Sequence, residues 1–377
     1  MNIIPFNKPF LTGKETHYIY DAVQAKHLSG NGKYTKLCQT FFENHLGSKK
    51  CFLTTSCTDA LEMCAILLNI KPGDEVIMPS YTFVSTANAF VLRGAIIRFV
   101  DSRPDHPGMD ESKVEELITK KTKAIIVVHY AGIACDMDFI CNVAKRHQLA
   151  VVEDAAQAID AYYKGKPLGT FGDLATFSFH ETKNISCGEG GMLVVNNKNY
   201  IERSEIIWEK GTNRNAFFRG EVDKYGWVDI GSSFLPSELN AAFLYAQLEC
   251  LRSIQERRKA IWLDYYDSLY YLQDEYGVRL PIVPDFASNN AHMFFVVMNS
   301  IEERNQLLTF LKTKGIYAVF HYQPLHNSQY YQEKHDDRLL PNVEIYGNRL
   351  IRLPFYQELG NQQQVVITNV KRFFRNV

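Results

Sequence analysis

Short apolar runs alternate with amphipathic stretches along the first two thirds of the chain. Four runs rich in valine and isoleucine are typical of buried strands: Glu75–Met78, Ile96–Val100, Ala124–Val128 and Ala150–Val152. Between these runs apolar residues recur at helical spacing, as at Val114, Leu117 and Ile118, and again at Ile140, Val143 and Ala144. This alternation predicts an α/β fold with a mostly parallel central sheet and helices on both faces. Such sheets bind ligands beyond the carboxyl ends of their strands.

The pattern changes after about Leu239. A long helical stretch, Ser237 to about Tyr271, comes first; then follow a strand at Met293–Met298, a helix at Glu302–Lys314 and a second strand near Tyr317–His321. This order predicts a smaller α+β domain at the C-terminal end. We therefore divide the chain into a large domain, residues 1–244, and a small C-terminal domain, residues 245–377.

Composition narrows the classes of function. The 377 residues are 46% hydrophobic and 22% charged, and 41 Lys and Arg balance 42 Asp and Glu to a net charge of -1. Nucleic-acid-binding proteins usually carry a basic excess, so we expect no nucleic-acid partner. No apolar run approaches the roughly 20 residues of a membrane span, and no secretory signal is visible, which predicts a cytoplasmic protein. The eight cysteines are scattered, so we expect no zinc site and no disulfide framework.

Two segments at strand ends suit charged groups of a ligand. Thr54–Met63 places a polar cluster ahead of an apolar stripe, which predicts a helix N-terminus whose free N–H groups suit phosphate. Val151–Gln157 ends an apolar strand at Asp154, with Gln157 three residues later. Taken alone, each segment favours the simpler interpretation, an ordinary Ser/Thr helix cap for the first and a solvent-facing carboxylate for the second.

Two further segments add an amine and an aromatic ring. The strand Ala175–His180 leads into a loop that carries Lys183 ahead of the glycines of Gly188–Gly191. Met78–Phe83 brings the ring of Phe83 to the end of another strand. A lysine in a partly apolar crevice can lose its proton and act as a nucleophile, whereas most lysines are simply exposed. Phe83 can stack on a flat cofactor or pack in the core.

Together these groups are the parts needed to hold pyridoxal 5′-phosphate (PLP). The lysine forms a Schiff base with the cofactor, the carboxylate keeps the pyridine nitrogen protonated, and the helix start takes the phosphate. A nicotinamide-dependent dehydrogenase would need G-x-G-x-x-G after the first strand, and that motif is absent there.

Longer motifs resemble the DegT/DnrJ/EryC1/StrS sugar aminotransferases, which belong to the fold-type I PLP-dependent transferases. The resemblance is carried by PSYTFVSTANA (79–89), VVHYAG (127–132), VVEDAAQA (151–158), FSFHETKN (177–184), GEGG (188–191) and HYQPLH (321–326). Within the family, the WecE-type dTDP-4-dehydro-6-deoxy-D-glucose 4-aminotransferases are the most similar branch, on FHETKN (179–184), EKGTNR (209–214), FFRGEVDKY (217–225) and DIGSS (229–233).

The resemblance implies roles for individual residues. Lys183 would be the Schiff-base lysine and Asp154 the partner of the pyridinium nitrogen. The other implied cofactor positions are Thr58, Asp59 and Ser178 at the phosphate, Gln157 at the phenolic oxygen, Phe83 against the ring, and Ser233 at the phosphate of the neighbouring subunit's cofactor. For the sugar nucleotide we expect contacts from His321, Tyr322 and His326 near the sugar and from Lys210 and Arg214 at the diphosphate, although ordinary polar loops would look the same.

The chain departs from the family pattern at two places. Cys57 stands where the family usually has the glycine of Ser-Gly-Thr, and a backbone contact to phosphate would survive this change. The common Gly-Tyr-Asn-Tyr-Arg stretch is replaced by Gly231–Leu235, so Ser233 stands in place of the asparagine with a shorter reach.

The resemblance implies a ping-pong transamination from L-glutamate to C4 of a nucleotide-linked 4-keto-6-deoxy sugar, dTDP-4-dehydro-6-deoxy-D-glucose. The product would serve surface-polysaccharide synthesis, such as O-antigen or enterobacterial common antigen, and the enzyme would be at least a homodimer. Alternatives are an aminotransferase for 3-keto sugar nucleotides and a regulatory relative that only binds a ligand. Family dehydratases carry histidine in place of the Schiff-base lysine, so Lys183 disfavours that activity.

Overall fold

The computed structural model describes residues 3–375. Its helices are α1 Glu15–Gln24, α2 Lys33–Leu46, α3 Cys57–Leu67, α4 Val84–Val91, α5 Met137–His147, α6 Ile201–Trp208, α7 Arg214–Phe218, α8 Glu238–Glu249, α9 Leu251–Leu269, α10 Leu272–Tyr276, α11 Ile301–Thr313, α12 Pro341–Arg349 and α13 Gln362–Arg375. Its strands are β1 Lys50–Thr54, β2 Glu75–Pro79, β3 Ile96–Val100, β4 Thr122–Val128, β5 Ala150–Asp154, β6 Tyr162–Tyr163, β7 Lys166–Pro167, β8 Leu174–Ser178, β9 Gly191–Val195, β10 Phe295–Val297, β11 Val319–Phe320 and β12 Leu350–Arg352.

A seven-stranded sheet forms the centre of the molecule, in the order β1-β9-β8-β5-β4-β2-β3. Strands β8, β5, β4, β2 and β3 pair in parallel. Strand β9 runs antiparallel to both of its neighbours, β8 and β1. The predicted mostly parallel sheet is therefore confirmed, and the β8–β9 hairpin brings the loop between these strands to the edge where the parallel strands end.

Each strand of the sheet divides its side chains between two apolar layers. Cys51 and Leu53 pack in one cluster with α1, α2, α5 and α8, while Phe52 between them packs in another with α3, α4 and α6. The same alternation separates Ile125 from Ile126 in β4. This period of two follows from the pleat, which points successive side chains to opposite faces. Helices therefore cover both faces, as predicted.

A smaller sheet lies in the C-terminal part, in the order β10-β12-β11 with antiparallel pairing. Its core gathers apolar residues of α9, α11 and α13, among them Tyr265, Leu307 and Val366. The long helix predicted from Ser237 is interrupted at Cys250, where α8 ends and α9 begins. The proposed domain division at residue 244 falls inside α8 and stays a prediction.

The helical spacing at Val114 and Leu117 does not produce an α-helix. This segment forms two successive 3-10 turns, Glu111–Lys113 and Glu115–Leu117, and Ile118 is already extended. Val114 and Leu117 still reach the core from these turns. None of the helices within residues 3–375 has the length and apolar character that crossing a membrane requires.

Candidate active site

The ends of β2, β5 and β8 and the start of α3 open into one cavity of about 520 Å³. We call it the Lys183 cavity. Polar and aromatic side chains line it, including Ser56, Cys57, Thr58, Phe83, Ser85, Thr86, Asp154, Gln157, Ser178, Lys183, His321, Tyr322 and Arg352. It lies where parallel strands finish, which is where open α/β sheets bind ligands.

Two helix N-termini meet at one end of this cavity. Ser56 caps α3, and its Oγ accepts a hydrogen bond from the backbone N–H of Asp59 at 3.0 Å. Thr58 in the first turn of α3 donates to Ser85 Oγ in the first turn of α4 at 2.8 Å. Unpaired N–H groups and the dipoles of both helices favour an anion here. The geometry suits a phosphate group.

A glycine allows this end of the cavity to form. A Cβ on Gly191, the first residue of β9, would lie 2.3 Å from the carbonyl of Ser56 and 2.4 Å from the nitrogen of Cys57. Strand β9 therefore lies directly against the start of α3. Burial raises the pKa of the Cys57 thiol, so this side chain stays neutral and adds no charge that would repel phosphate.

Asp154, at the end of β5, is the buried carboxylate of the cavity. Thr86 donates to one of its oxygens at 2.7 Å and the backbone N–H of Ala156 donates to the other at 3.1 Å. Burial raises the pKa of Asp154, although Thr86, Ala156 and the nearby Lys183 favour the charged form. A protonated ring nitrogen in the cavity would offset this cost.

The preceding residue, Glu153, points to the other side of the sheet. Its carboxylate accepts from the backbone N–H groups of Gly169, Phe171 and Gly172, each at 2.7 Å, and pairs with His129 Nε2 at 3.1 Å. Burial alone would raise the pKa of Glu153, but these bonds lower it. The network fixes the end of β5 and with it the position of Asp154.

Lys183 lies half-buried on the turn between β8 and β9. Its backbone N–H donates to His180 at 2.9 Å. Within residues 3–375, the amine makes no hydrogen bond and no ion pair. Burial lowers the pKa of Lys183, while Cys57 and Asp154 act in the opposite direction. An amine with a lowered pKa and a free donor position is suited to act as a nucleophile.

A buried amide network holds the residue next to this lysine. Asn184 Nδ2 donates to Gln255 Oε1 at 2.8 Å and to the carbonyl of Asn290 at 2.9 Å. Its Oδ1 bonds to His292 Nδ1 at 2.7 Å. Burial lowers the pKa of His292 well below its usual value, so this histidine is neutral. The network anchors the lysine turn to α9 and to the segment before β10.

Aromatic rings and an amide form the remaining walls. Gln157 Oε1 accepts from the N–H of Ala131 at 2.6 Å, and its Nε2 donates to the Tyr322 hydroxyl at 3.3 Å. The rings of Tyr322 and Phe83 lie with centroids 6.1 Å apart, and Phe83 is 55% exposed at the mouth. An exposed phenylalanine beside a polar cavity is available to stack on a flat ligand.

The other predicted residues lie elsewhere. Asp59 is outside the cavity lining and its carboxylate accepts from the Thr55 hydroxyl, so its negative charge does not face the anion end. His326 is buried between Ser80, whose Oγ lies 2.8 Å from Nδ1, and Glu344, 3.1 Å from Nε2. These positions do not support direct contacts with ligand, and both assignments stay predictions.

Three predicted residues line a second cavity of about 920 Å³, namely Lys210, Arg214 and Ser233. We call it the Lys210 cavity. It lies beside α6 and α7, and Lys210 has a left-handed backbone with φ +63° between α6 and the following glycine. The side chains of Lys210 and Arg214 are suited to bind a diphosphate in this cavity. Neither residue is part of the lining of the Lys183 cavity.

Sequence reasoning missed several residues of the Lys183 cavity, among them Thr86 and Arg352. Thr86, which holds Asp154, lies inside the PSYTFVSTANA motif but had no visible role without the fold. Arg352 ends the apolar strand β12 and lies buried in the wall. The sequence does carry a signal for Arg352: a cation inside the run Leu350–Leu353 interrupts an otherwise apolar strand.

The residues of the Lys183 cavity fit PLP. The paired helix starts would take the phosphate, Asp154 the ring nitrogen, Phe83 the face of the ring, and Lys183 the aldehyde. Within residues 3–375, no three His, Cys, Asp or Glu side chains are grouped as a metal site.

Comparisons with known proteins agree with this chemistry. The model of the DegT/DnrJ/EryC1/StrS aminotransferase family matches residues 10–371. GDP-perosamine synthase of Escherichia coli O157:H7 is 33% identical over 371 residues, which is 97% of each protein. DesV of S. venezuelae has a TM-score of 0.91 at 30% identity and full coverage of both chains. The PLP-form of Spr1654 from Streptococcus pneumoniae also has a TM-score of 0.91, at 26% identity over 100% of this chain and 99% of that one.

Proposed function

We propose that this chain, which belongs to the DegT/DnrJ/EryC1/StrS aminotransferase family, moves an amino group from L-glutamate to C4 of dTDP-4-dehydro-6-deoxy-D-glucose. Membership makes it a PLP-dependent sugar aminotransferase. The observation that carries the chemistry is the free amine of Lys183 in one cavity with the buried carboxylate of Asp154. The choice of sugar rests on the WecE-type motifs of the sequence.

The roles we assign to the chain's own residues follow from their surroundings. When bound, PLP supplies an aldehyde carbon that carries the amino group and a ring that withdraws electrons from the reacting carbon. Asp154, fixed by Thr86 and Ala156, holds the proton on the ring nitrogen. Lys183 Nζ, whose pKa burial lowers, would take the proton from the substrate carbon and return it on the other side of the transfer.

We assign the nucleotide end of the substrate to the Lys210 cavity. Lys210 and Arg214 line it and would meet the diphosphate, while His321 and Tyr322 line the Lys183 cavity and would meet the sugar. The product would enter the synthesis of a surface polysaccharide such as O-antigen or enterobacterial common antigen.

We further propose that the enzyme is a cytoplasmic homodimer. Ser233 lies outside the Lys183 cavity of its own chain, which supports a role at the cofactor phosphate of a neighbouring subunit. Four exposed aromatic residues beside it, Phe217, Phe218, Tyr225 and Trp227, offer an apolar surface to a second copy. We call these four residues the aromatic patch. All eight cysteines are free thiols, which supports a reducing compartment.

The test is a product analysis. The enzyme is incubated with PLP, L-glutamate and dTDP-4-dehydro-6-deoxy-D-glucose, and the sugar is examined by NMR for an amine at C4. Parallel reactions contain the 3-keto isomer or a GDP-linked 4-keto-6-deoxy sugar. An amine at C4 of the dTDP sugar, absent with Lys183→Ala, is the expected result.

The GDP-linked arm matters because one relative is named GDP-perosamine synthase. A clear preference for the GDP sugar would replace dTDP as the nucleotide and keep the C4 reaction. A preference for the 3-keto isomer would overturn the position of transfer. Binding of a sugar nucleotide without any amine transfer would favour the regulatory alternative.

A further inference from the structure

Asn290 lies between two loops that carry groups of the Lys183 cavity. It belongs to the segment before β10, in the part of the chain that follows α8, and it is fully buried. It bonds on one side to the turn that carries Lys183 and on the other to the loop after β5 that carries Gln157. Lys183 and Gln157 line the cavity, whereas Asn290 lies outside the lining. Any effect of Asn290 on the reaction therefore passes through these neighbours.

The backbone of Asn290 holds the turn that carries Lys183. Its carbonyl accepts from Asn184 Nδ2 at 2.9 Å and from Gln255 Nε2 at 3.2 Å. Asn184 is the residue next to Lys183, and its own side chain is buried. The segment before β10 therefore fixes the position of the lysine turn.

The side chain of Asn290 holds the loop that carries Gln157. Asn290 Nδ2 donates to the backbone carbonyl of Gln157 at 2.7 Å and to that of Ile159 at 2.9 Å. Asn290 Oδ1 accepts from the backbone N–H of His292 at 3.1 Å. Both hydrogens and the oxygen of the amide are used, so its orientation is fixed.

A glycine lets the amide of Asn290 reach this position. A Cβ on Gly132 would lie 1.9 Å from Asn290 Oδ1, and the backbone of Gly132 is left-handed with φ +77°. The preceding residue, Ala131, donates its N–H to Gln157 Oε1 at 2.6 Å. The amide of Asn290 therefore packs against the same short turn that orients the side chain of Gln157.

Gln157 keeps one hydrogen for a ligand. Its Nε2 donates one hydrogen to the Tyr322 hydroxyl at 3.3 Å, and within residues 3–375 the other makes no hydrogen bond. Because Gln157 lines the cavity, this hydrogen is available to an acceptor on a bound cofactor. The position of the loop decides whether the hydrogen reaches that acceptor.

We propose that Asn290 is a positioning residue that sets the distance between Lys183 and Gln157. This inference rests on the proposed function and on the assignment of Gln157 to the phenolic oxygen of PLP. The aldehyde carbon, which Lys183 would bind, and the phenolic oxygen are neighbouring substituents of the PLP ring. The two protein groups must therefore keep one spacing, and small errors in it are costly. Asn290 fixes that spacing because it bonds to both loops at once.

The test follows the visible absorbance of the PLP-loaded enzyme as the pH is raised. This absorbance reports the protonation of the linkage between Lys183 and PLP, which the negative charge of the phenolic oxygen favours. In Asn290→Asp, an acceptor replaces the donor and faces the carbonyls of Gln157 and Ile159, so the loop moves away and the phenolic oxygen loses its donor. We expect the midpoint of the titration to rise by about one pH unit, the size of one lost hydrogen bond.

Two further variants of the same contacts support this test. Asn290→Ser carries a hydroxyl that is too short to reach both carbonyls, and we expect the midpoint to rise here as well. Gln157→Leu removes the donor directly and should give the same rise. Because both changes act on one contact, Asn290→Asp combined with Gln157→Leu should raise the midpoint no further than Gln157→Leu alone.

Asn342→Asp is the matched control. Asn342 Nδ2 donates to the carbonyl of Ser102 at 3.0 Å, which ties α12 to the loop after β3 outside the lining of the Lys183 cavity. The same exchange of donor for acceptor should lower the melting temperature and move the midpoint by less than about 0.3 pH unit, as for a change away from the reacting groups. Thermal melts of each PLP-free variant measure the effect on the fold.

A midpoint equal to that of wild type in folded Asn290→Asp and Asn290→Ser would overturn the proposal, as would an equal rise in Asn342→Asp. An unchanged midpoint in Gln157→Leu overturns it whether or not the Asn290 variants fold. The proposed function fails separately, because the titration needs PLP but neither amino donor nor sugar. If the predicted rises occur and no keto sugar accepts an amine, the positioning role stands and the sugar assignment falls.

Discussion

The Lys183 cavity and the Lys210 cavity belong to the same chain but are built in different ways. Strand ends, two helix starts and buried hydrogen-bond networks fix the groups of the Lys183 cavity, as at Asp154 and Asn184. The Lys210 cavity is bordered by α7 and the loop that follows it. That loop carries Trp227 at 84% exposure, and Phe218 of the cavity wall is 66% exposed.

On our proposal, the Lys183 cavity carries out the chemistry of the reaction and the Lys210 cavity binds part of the larger substrate. Hydrogen bonds within one chain fix Asp154 and the turn that carries Lys183, the groups we propose for the chemistry, which suits catalysis, since small errors in position are costly there. The cavity that we assign to the nucleotide is lined by exposed cations and lies beside the aromatic patch. Apolar surface of this kind commonly marks an interface. On our proposal, Ser233 of the Lys210 cavity meets the cofactor phosphate of a second copy, so the two kinds of cavity come together only when two copies meet.

The strongest test of the difference between the two cavities is to replace Lys183 and Lys210 in turn. We expect Lys183→Ala to lower kcat by about 10⁴-fold or more, because one residue supplies both the amine and the proton transfer. Lys210→Ala should mainly raise the KM for the sugar nucleotide, by less than about tenfold, since exposed ion pairs contribute little. Steady-state kinetics with both substrates measures this. Equal losses of kcat in the two variants would refute the division of labour.

The second prediction concerns the carboxylate of the Lys183 cavity. Asp154→Asn should lower kcat about 10²- to 10³-fold, the usual effect of removing one electrostatic contact at a reacting group, while PLP remains bound as judged by its absorbance. In the PLP-free protein the same change should raise the melting temperature at pH 7, because burial raises the pKa of Asp154 and its charge is then unfavourable.

Asp101→Asn is the matched control for this prediction. Asp101 also follows a strand of the sheet, and burial also raises its pKa, but it accepts from the N–H groups of Asn342 and Val343 outside the cavity. We expect its kcat to stay within about threefold of wild type, as for residues away from the reacting groups. A loss as large as that of Asp154→Asn would show that rate depends on strand-end carboxylates in general.

The third prediction addresses the aromatic patch. Trp227→Ser should weaken the homodimer about tenfold or more, as expected for a large aromatic residue at the centre of an interface. Sedimentation at several concentrations measures the dissociation constant. Leu339→Ser is the control, because Leu339 is 89% exposed but lies outside the patch. Equal dimer strength in wild type and Trp227→Ser would place the interface elsewhere.

The smallest effect is expected at His326, which lines neither cavity. His326→Gln should cost about 1–2 kcal/mol of stability through lost hydrogen bonds to Ser80 and Glu344, with the KM for the sugar nucleotide unchanged within about twofold. Urea denaturation and kinetics measure the two quantities. A tenfold increase in that KM would instead support the substrate role predicted from the motif HYQPLH.

The same residue gives a dependence on pH. Burial, with a contribution from His335, lowers the pKa of His326 to about 4, whereas histidine in an unfolded chain titrates near about 6.5. Its contribution to stability is complete above the unfolded value and is lost as the pH falls from there to the folded value. In His326→Gln the decline in stability over this range should be shallower than in wild type.

Local patterns predicted much of the fold and the centre of the site. The apolar run at Ile96–Val100 coincides with β3, and the acids at the end of another run place Asp154 at a strand end. Lys183 was found because a glycine-flanked loop between two strands is visible in the sequence. These features depend on neighbours within a few positions, which is the range over which periodicity and turn residues act.

The missed contacts join residues far apart in the chain. Arg352 reaches the Lys183 cavity from β12, and Thr86 reaches Asp154 from α4. No local sequence pattern predicts such a contact, because the contact depends on how helices and strands pack. His326 differs in the opposite sense: His321 and Tyr322 of its motif line the cavity, while His326 turns toward Ser80. Its predicted substrate role stays a prediction.

The pairing of β9 with β1 decides when the phosphate end of the cavity can exist during synthesis. Lys50 and Thr54 of β1 pair with Val195 and Gly191 of β9, and among the strands within residues 3–375 β1 pairs with β9 alone. A nascent chain emerges from its N-terminus, so the contact between Gly191 and the start of α3 can form only after β9 has been synthesised. Arg352, which also lines the cavity, is synthesised much later still. The cavity that would hold PLP is therefore complete only in a nearly finished polypeptide. Binding of PLP, which stabilises only the folded state, would come late in synthesis.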